Sequence, residues 1–272
     1  MKLTTKILSF ILLLIIAGLI SSNMILKKQY DAIDKSDVYW TYNKVLEQPF
    51  KHLYITGGND THIFYEQSEK SSVRLLQEWV SDRHGEVKAS IKHDTLFLTF
   101  DYVPANPYEK YILENSAPVR IFSPELLSVT GTNINFEMCR LRQKNITANI
   151  MGKSQFEVET LDPEMDSVVV NQSDSSAVKF EISPDYRKKT SDHAQKGRIA
   201  FHNEDGVLVT VKGQQERNFD EGMSIHFVRA TIKDHSILDV GHAQVKNLQI
   251  KVSDSAAIVL SGDALKKVSS IW

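Results

Sequence analysis

Nine histidines, one cysteine and a short run of carboxylates are the residues of this chain with chemistry beyond folding. The histidines are His52, His62, His84, His93, His193, His202, His226, His235 and His242. Neutral imidazole binds zinc and acts as a base near neutral pH. Metal-binding pairs recur at set spacings, such as two histidines four apart on a helix with a glutamate between them, and no pair here has one. His235 and His242 flank one pair of strand-like runs and His226 lies in the run before. A stacked β architecture could bring these three together, and surface positions explain them as well. Asp162, Glu164 and Asp166 surround Pro163. A glycosidase needs two carboxylates at a set distance across a sugar, whereas this cluster reads first as a turn. Cys139 stands alone, which excludes an internal disulfide and a thiolate metal cluster. Arg140 and Arg142 would favour its thiolate and burial would favour its thiol; the inert buried thiol is the preferred reading. There is no Gly-x-Ser-x-Gly elbow, phosphate-binding loop or dinucleotide fingerprint. Asn145-Ile146-Thr147 and Asn171-Gln172-Ser173 match the glycosylation sequon, a pattern common by chance. No catalytic, cofactor-binding or metal-binding residue is therefore assigned, and no cofactor is implied.

The elements that must position these side chains are short and alternating. The phrase Ser173-Asp174-Ser175-Ser176-Ala177-Val178-Lys179-Phe180 returns as Ser253-Asp254-Ser255-Ala256-Ala257-Ile258-Val259-Leu260, 80 residues later. Eighty is four times twenty, and other apolar pairs also fall about twenty residues apart, the period of a solenoid. Val129 precedes Ile134 and Phe136; Ile146, Ala148 and Ile150 precede Phe156 and Val158; Val168 and Val170 precede Val178, Phe180 and Ile182. Ala230 and Ile232 precede Leu238 and Val240, and Leu248, Ile250 and Val252 precede Ile258 and Leu260. Each unit reads as two strands joined by a polar corner, with Ser175 and Ser255 as corner residues. Stacking such coils buries a core that no single coil could make. The expected fold is all-β, a parallel solenoid with coils of about 20 residues. An antiparallel β-sandwich is the rival, and it does not require the same phrase to return in register.

Upstream, His52 to Thr56, Ile63 to Tyr65, Val73 to Leu76, Val87 to Ile91 and Leu96 to Phe100 read as strands between polar turns. Residues 101–118, with Pro104, Pro107 and Pro118, read as a long loop holding Tyr102, Tyr108, Tyr111 and Ile112; it either serves a function or covers an open edge. Pro184 to Arg198 carries Arg187, Lys188, Lys189, Lys196 and Arg198 and reads as a solvated loop before a basic patch. Ile199 to Val211 reads as two strands, an inserted hairpin or a further coil.

The amino terminus stands apart. Residues 1–6 form a short tail, and residues 7–26 carry no charge over 20 positions, the length that crosses a hydrocarbon core. A cleaved signal would need small residues at −3 and −1, and Ile16, Leu19 or Ile20 occupy −3 for the candidate sites, so an uncleaved anchor is favoured. Residues 27–48 read as a juxtamembrane linker and 49–272 as the large domain. With 32 basic and 34 acidic side chains and a net charge of -2, no strong attraction to nucleic acid is expected.

Val119-Arg120-Ile121-Phe122-Ser123-Pro124-Glu125-Leu126-Leu127-Ser128-Val129-Thr130-Gly131 carries a resemblance. It is similar to the v-x-v-x-x-P-x-L-x-x-v-x-G signature of the auto-transporter adhesin head GIN domain family, a domain of unknown function in bacterial surface and periplasmic proteins. Phe50 to Ile55 resembles that family's first strand, Asp94 to Leu98 its "dgtLtl" segment, and Leu248 to Gly262 its closing coil. The resemblance covers about residues 49–265. It implies a right-handed parallel β-helix and no defined activity. The chain departs from the pattern in its fewer corner glycines, the 101–118 insertion and the Pro184 to Arg198 loop.

Three functions fit these readings. The leading expectation is a single-pass, extracytoplasmic β-solenoid of the bacterial membrane, anchored by residues 7–26, that binds, adheres or scaffolds without catalysis. Its partner would be an envelope protein or a polysaccharide. The alternatives are a polysaccharide lyase or hydrolase and a purely structural envelope protein. The oligomeric state is left open.

Overall fold

The computed structural model describes residues 3–81, 87–101, 104–162, 164–182, 200–202, 208–210, 223–241 and 243–260. The chain divides into two units, Met1–Asn43 and Lys44–Trp272.

The first unit is dominated by α1 (Leu3–Ala32), whose Ile7–Ala32 stretch contains an 18-residue window with a mean hydropathy of 2.3. It is long and apolar enough to cross a membrane, and its apolar side chains lie exposed. The helix runs on through Lys27 and Lys28, into the segment expected to be a linker. Two aspartate turns follow: Asp34 accepts from the Ser36 amide at 3.0 Å and Asp37 from the Tyr39 amide at 2.9 Å.

The second unit is built from two large sheets. Nine strands form one, in the order β1 (Tyr42–Leu46), β4 (Ser72–Leu76), β7 (Val119–Ser123), β3 (His62–Gln67), β9 (Asn135–Leu141), β11 (Gln155–Thr160), β13 (Ala177–Ile182), β17 (Ile237–Asp239) and β19 (Ala257–Val259). Eight form the other: β18 (Gln244–Val252), β16 (Ser224–Ile232), β12 (Glu164–Gln172), β10 (Asn145–Met151), β8 (Ser128–Thr132), β2 (His52–Thr56), β6 (Thr95–Phe100) and β5 (Val87–Lys92). From β8 to β13, and again from β16 to β19, consecutive strands alternate between the sheets. Each then pairs in parallel with the strand one turn later, as Phe136 with Phe156 and Phe156 with Val178. The inward residues of both sheets form one core. Strand alternation puts Ile146, Ala148 and Ile150 inside on β10, and Phe156 and Val158 on β11. Phe136 and Phe156 stack with ring centres 5.6 Å apart.

Three expectations are corrected. First, the architecture is a pair of mixed sheets rather than a closed, uninterrupted parallel solenoid. The β2–β3 turn lies between the β6–β7 turn and the β8–β9 turn, so the stacking order departs from chain order. Beyond β6 and β7 lie antiparallel β5 and β4. These strands occupy edges that parallel stacking would leave open. β5 reaches β6 through His93 and Asp94, both at positive φ (47 and 60), the backbone of a tight hairpin.

Second, the 80-residue return spans two steps and not four. Gln172 faces Ile232, which faces Val252, so Ser173, Lys233 and Ser253 follow equivalent positions in adjacent strands. The longer step contains the antiparallel pair β14 (Ala200–His202) and β15 (Leu208–Thr210), an inserted hairpin rather than a coil. Pro184 to Arg198 lies outside the described residues.

Third, residues 101–118 are more than a loop. They hold α3 (Pro107–Ser116), capped by Asn106, whose Oδ1 accepts from the Glu109 amide at 2.9 Å. Glu109 in turn accepts from the Ala105 amide at 2.7 Å, and Pro107 occupies the first turn. Leu113 packs into the core, and Tyr108, Tyr111 and Ile112 stay exposed.

The corners are held by buried hydroxyls, and in the Ser173 to Ser176 corner the buried one is Ser176, one residue past the expected Ser175. Ser175 sits exposed at φ 91, whereas Ser154, Ser176 and Ser236 are buried. Ser154 accepts from the Ile134 amide at 3.1 Å, Ser176 donates to the Ile150 carbonyl at 3.2 Å, and the Ser176 amide donates to Ser236 Oγ at 3.2 Å. The Ser154 and Ser236 hydroxyls each satisfy a backbone amide at the corner, and Ser176 adds a second donor to the Ile150 carbonyl, which also accepts from the Ser173 amide at 3.2 Å.

Candidate functional site: the outer faces of the two sheets

Side chains that alternate with the core residues point outward, and register decides which of them meet. On the eight-stranded sheet, one row runs Phe97, Tyr54, Thr130, Asn149, Asn171, Thr231 across six neighbouring strands. A second row runs Thr95, His52, Ser128, Thr147, Val169, Arg229. From β6 to β10 neither row carries an aspartate, glutamate, lysine or arginine. The first row is ordered by its own hydrogen bonds. Asn171 Nδ2 donates to Asn149 Oδ1 at 2.8 Å, and Asn149 Nδ2 donates to Thr130 Oγ1 at 3.4 Å. His52 Nδ1 and Ser128 Oγ are 2.7 Å apart. At the β2–β6 end, the Tyr54 and Phe97 rings lie 5.5 Å apart, tilted by 42°, and Tyr54 is 40% exposed. Charge returns only toward the margins: Lys88 and Lys92 on β5, Glu164 and Asp166 at the start of β12, Arg229 on β16, Lys246 and Lys251 on β18.

The outer face of the nine-stranded sheet is charged. Glu66 on β3, Arg120 on β7, Glu137 on β9, Glu157 and Glu159 on β11, and Lys179 and Glu181 on β13 point outward. They pair among themselves: His62 with Glu137 at 2.9 Å, Arg120 with Glu66 at 3.4 Å, Lys179 with Glu181 at 2.8 Å. Arg120 also lies 5.2 Å from the centre of the Phe64 ring. Burial alone would raise the Glu137 pKa, but hydrogen bonds from His62 and Cys139 and the charges of His62 and Arg120 together hold it below the ordinary value. Cys139 donates to Glu137 at 3.1 Å. Its thiol pKa is pushed up by burial and by the carboxylates of Glu137, Glu159 and Glu66, which keeps it protonated and unreactive.

The structure separates most of the residues singled out for chemistry. His226 lies near the start of β16, with Nε2 2.9 Å from Lys246 Nζ and Nδ1 4.0 Å from Asp166. His235 is exposed in the corner past the far end of that strand, on the order of 20 Å away by strand rise. His84, His193 and His242 lie outside the described residues, and of the three histidines that stacking could have brought together, His226 and His235 stand apart. Asp162 and Glu164 form a local turn in which the Glu164 amide donates to Asp162 at 3.0 Å. Among the described residues no group of three histidine, cysteine or carboxylate side chains is placed to hold a metal. The outward rows of the eight-stranded sheet were missed at the sequence level. Alternation exposes Thr130, Asn149 and Asn171 one at a time, and only register lines them up.

No protein-family model matches the chain, and no curated protein matches it. Solved structures give faint likenesses. A candidate adhesin from Bacteroides fragilis matches at TM-score 0.31 and 10% identity, over 81% of this chain and 96% of its own. A candidate lipid-binding protein from Parabacteroides distasonis matches at 0.35 and 12%, over 81% and 94%. A candidate adhesin from Parabacteroides merdae matches at 0.30 and 14%, over 81% and 95%. Scores of this size assign neither fold nor role to this chain.

Proposed function

We propose that this chain is a non-catalytic binding module of the bacterial envelope, and that its binding surface is the outer face of the eight-stranded sheet. In this reading residues 7–26 span the membrane once behind a short tail, 27–48 lead away from it, and 49–272 lie outside the cytoplasm as a GIN-type domain. A right-handed parallel β-helix is the arrangement we propose for its stacked turns. The observation that carries the reading is the ordered, uncharged row from Tyr54 to Asn171, assembled from four neighbouring strands of the sheet. Both faces carry cross-strand pairs, but here they are neutral amide and hydroxyl bonds, whereas the opposite sheet follows the ordinary pattern of paired charges. The apolar run in α1 supports the anchor. A polysaccharide-cleaving enzyme would need two carboxylates facing across a cleft; of the carboxylates singled out, Asp162 is engaged by the Glu164 amide, and Asp166 lies on β12 with its Oδ1 4.0 Å from His226.

The test is sedimentation of the full chain, held in detergent micelles, with an envelope fraction. Asn149→Asp with Asn171→Asp places charge in the uncharged face and should abolish co-sedimentation. Glu157→Lys on the other face should leave it unchanged. Equal binding by all three proteins would remove the assignment of the face, and no binding by the wild type would favour a purely structural envelope protein. Protease added to intact spheroplasts should digest the chain beyond Phe50; full protection would reverse the topology.

A further inference from the structure

We infer that the occupant of the uncharged face is a neutral, extended polysaccharide. This rests on the reading of that face as the binding surface and adds the chemical class of the ligand. Three properties of the face select among ligands. The first is charge. Nucleic acids, anionic glycans and phospholipid headgroups are held chiefly by Lys and Arg, and between β6 and β10 the face offers none. A charged polymer laid there would lose hydration with nothing to offset the loss.

The second is the kind of polar group. A protein partner favours an apolar, aromatic-rich centre with a polar rim, whereas here the centre is amide and hydroxyl and the charge lies at the rim. Sugar hydroxyls both donate and accept, and so do Asn and Thr side chains. Asn171 uses one amide proton on Asn149, and its other proton and its carbonyl oxygen have no partner among the described residues. The Asn171–Asn149–Thr130 chain fixes these groups before any ligand arrives, which lowers the ordering cost of binding. At one end, Tyr54 and Phe97 provide an aromatic platform of the kind on which the C–H face of a pyranose ring packs.

The third is repeat distance. Parallel pairing places one outward group per strand at about 4.8 Å, close to the advance of one sugar ring along an extended chain. A glycan running across the strands therefore meets a fresh amide or hydroxyl at nearly every ring. A compact small molecule would touch only one or two of them.

The test titrates the full chain, in micelles of an amine-oxide detergent that carries no sugar, with xyloglucan, galactomannan and mixed-linkage β-glucan. Polygalacturonate serves as the anionic comparison. At least one neutral glycan should bind, equally at low and high salt. Tyr54→Ala and the pair Asn149→Asp with Asn171→Asp should each weaken it tenfold or more, with circular dichroism unchanged. Should the paired variant fail to fold, Tyr54→Ala carries the same reading. Preference for polygalacturonate, salt-sensitive binding, or binding of none of the three neutral glycans overturns the inference. If co-sedimentation with envelope still depends on the face while the neutral glycans are ignored, the ligand class fails and the binding surface stands. If co-sedimentation is also indifferent to the face, both fail.

Discussion

The two sheets share one core and differ in what they turn to solvent. Inward, both follow the same rule: Leu53 and Ile55 on one, Ile63 and Tyr65 on the other, each packed into a single cluster. Outward, the nine-stranded sheet presents Glu66, Arg120, Glu137, Lys179 and Glu181 in neighbouring ion pairs, while the eight-stranded sheet presents Tyr54, Thr130, Asn149 and Asn171 joined by hydrogen bonds. Packing fixes the inner positions because interiors tolerate little change in volume. It constrains the outer positions less, so the two outer faces are freer to differ. Exposed ion pairs are worth little and are common on any surface. An uncharged, cross-bonded row over several strands is the less expected of the two, and it is where binding is placed.

The comparison can be broken or sharpened in four ways, from the largest effect down. Phe156→Ala strikes what the faces share: it unstacks Phe136 and should cost about 3–5 kcal/mol, read as a lower urea midpoint with both faces lost together. Loss of one face before the other would show two separable units. Charge placed on the uncharged face, Asn149→Asp with Asn171→Asp, should weaken binding at least tenfold with little change in melting temperature, and Glu157→Lys should do neither. On the core side of the nine-stranded sheet, burial pushes the Tyr65 hydroxyl from 10.0 up to about 12, although its hydrogen bond with Ser123 works the other way. A raised folded value means the tyrosine's stabilisation is whole below the unfolded value and is lost as pH rises from 10 through about 12. Tyr65→Phe should flatten that alkaline loss at a cost of about 1 kcal/mol near neutral pH. Glu137 has the opposite sign. Its folded carboxyl titrates below the ordinary 4.5, so its contribution is present above that value and lost as pH falls through the folded one. Melting temperature measured from about pH 5 to about pH 3 should fall less steeply for Glu137→Gln, by a small margin. An equal slope would show that Glu137 and its partners His62, Cys139 and Arg120 together contribute nothing in that range.

Much of the fold was legible because local patterns carried it. The runs at Val87 to Ile91 and Leu96 to Phe100, and the turn between them, lie where alternation and His93-Asp94 put them. Strand spacing near twenty residues gave the stacking from β8 to β13. What failed was long-range. Two steps of unequal length can imitate four equal ones, and only pairing shows that Ser173 and Ser253 lie two strands apart with an insertion between. Pro107 and Pro118 masked α3, although Asn106, Pro107 and Glu109 together form a helix-start signature. The candidate face was invisible for the same reason as the stacking order. Thr130, Asn149 and Asn171 are unremarkable in sequence and form a row only through parallel register.

Hydroxyl-radical footprinting of the full chain, with and without the envelope fraction, tests the central claim most directly. Tyr54, Phe97 and Met151 report on the eight-stranded face, and His62 and Phe64 on the nine-stranded one. Protection of the first three with no change at the other two is the expected result. Protection at His62 and Phe64, with Tyr54 and Phe97 still open to oxidation, would contradict it.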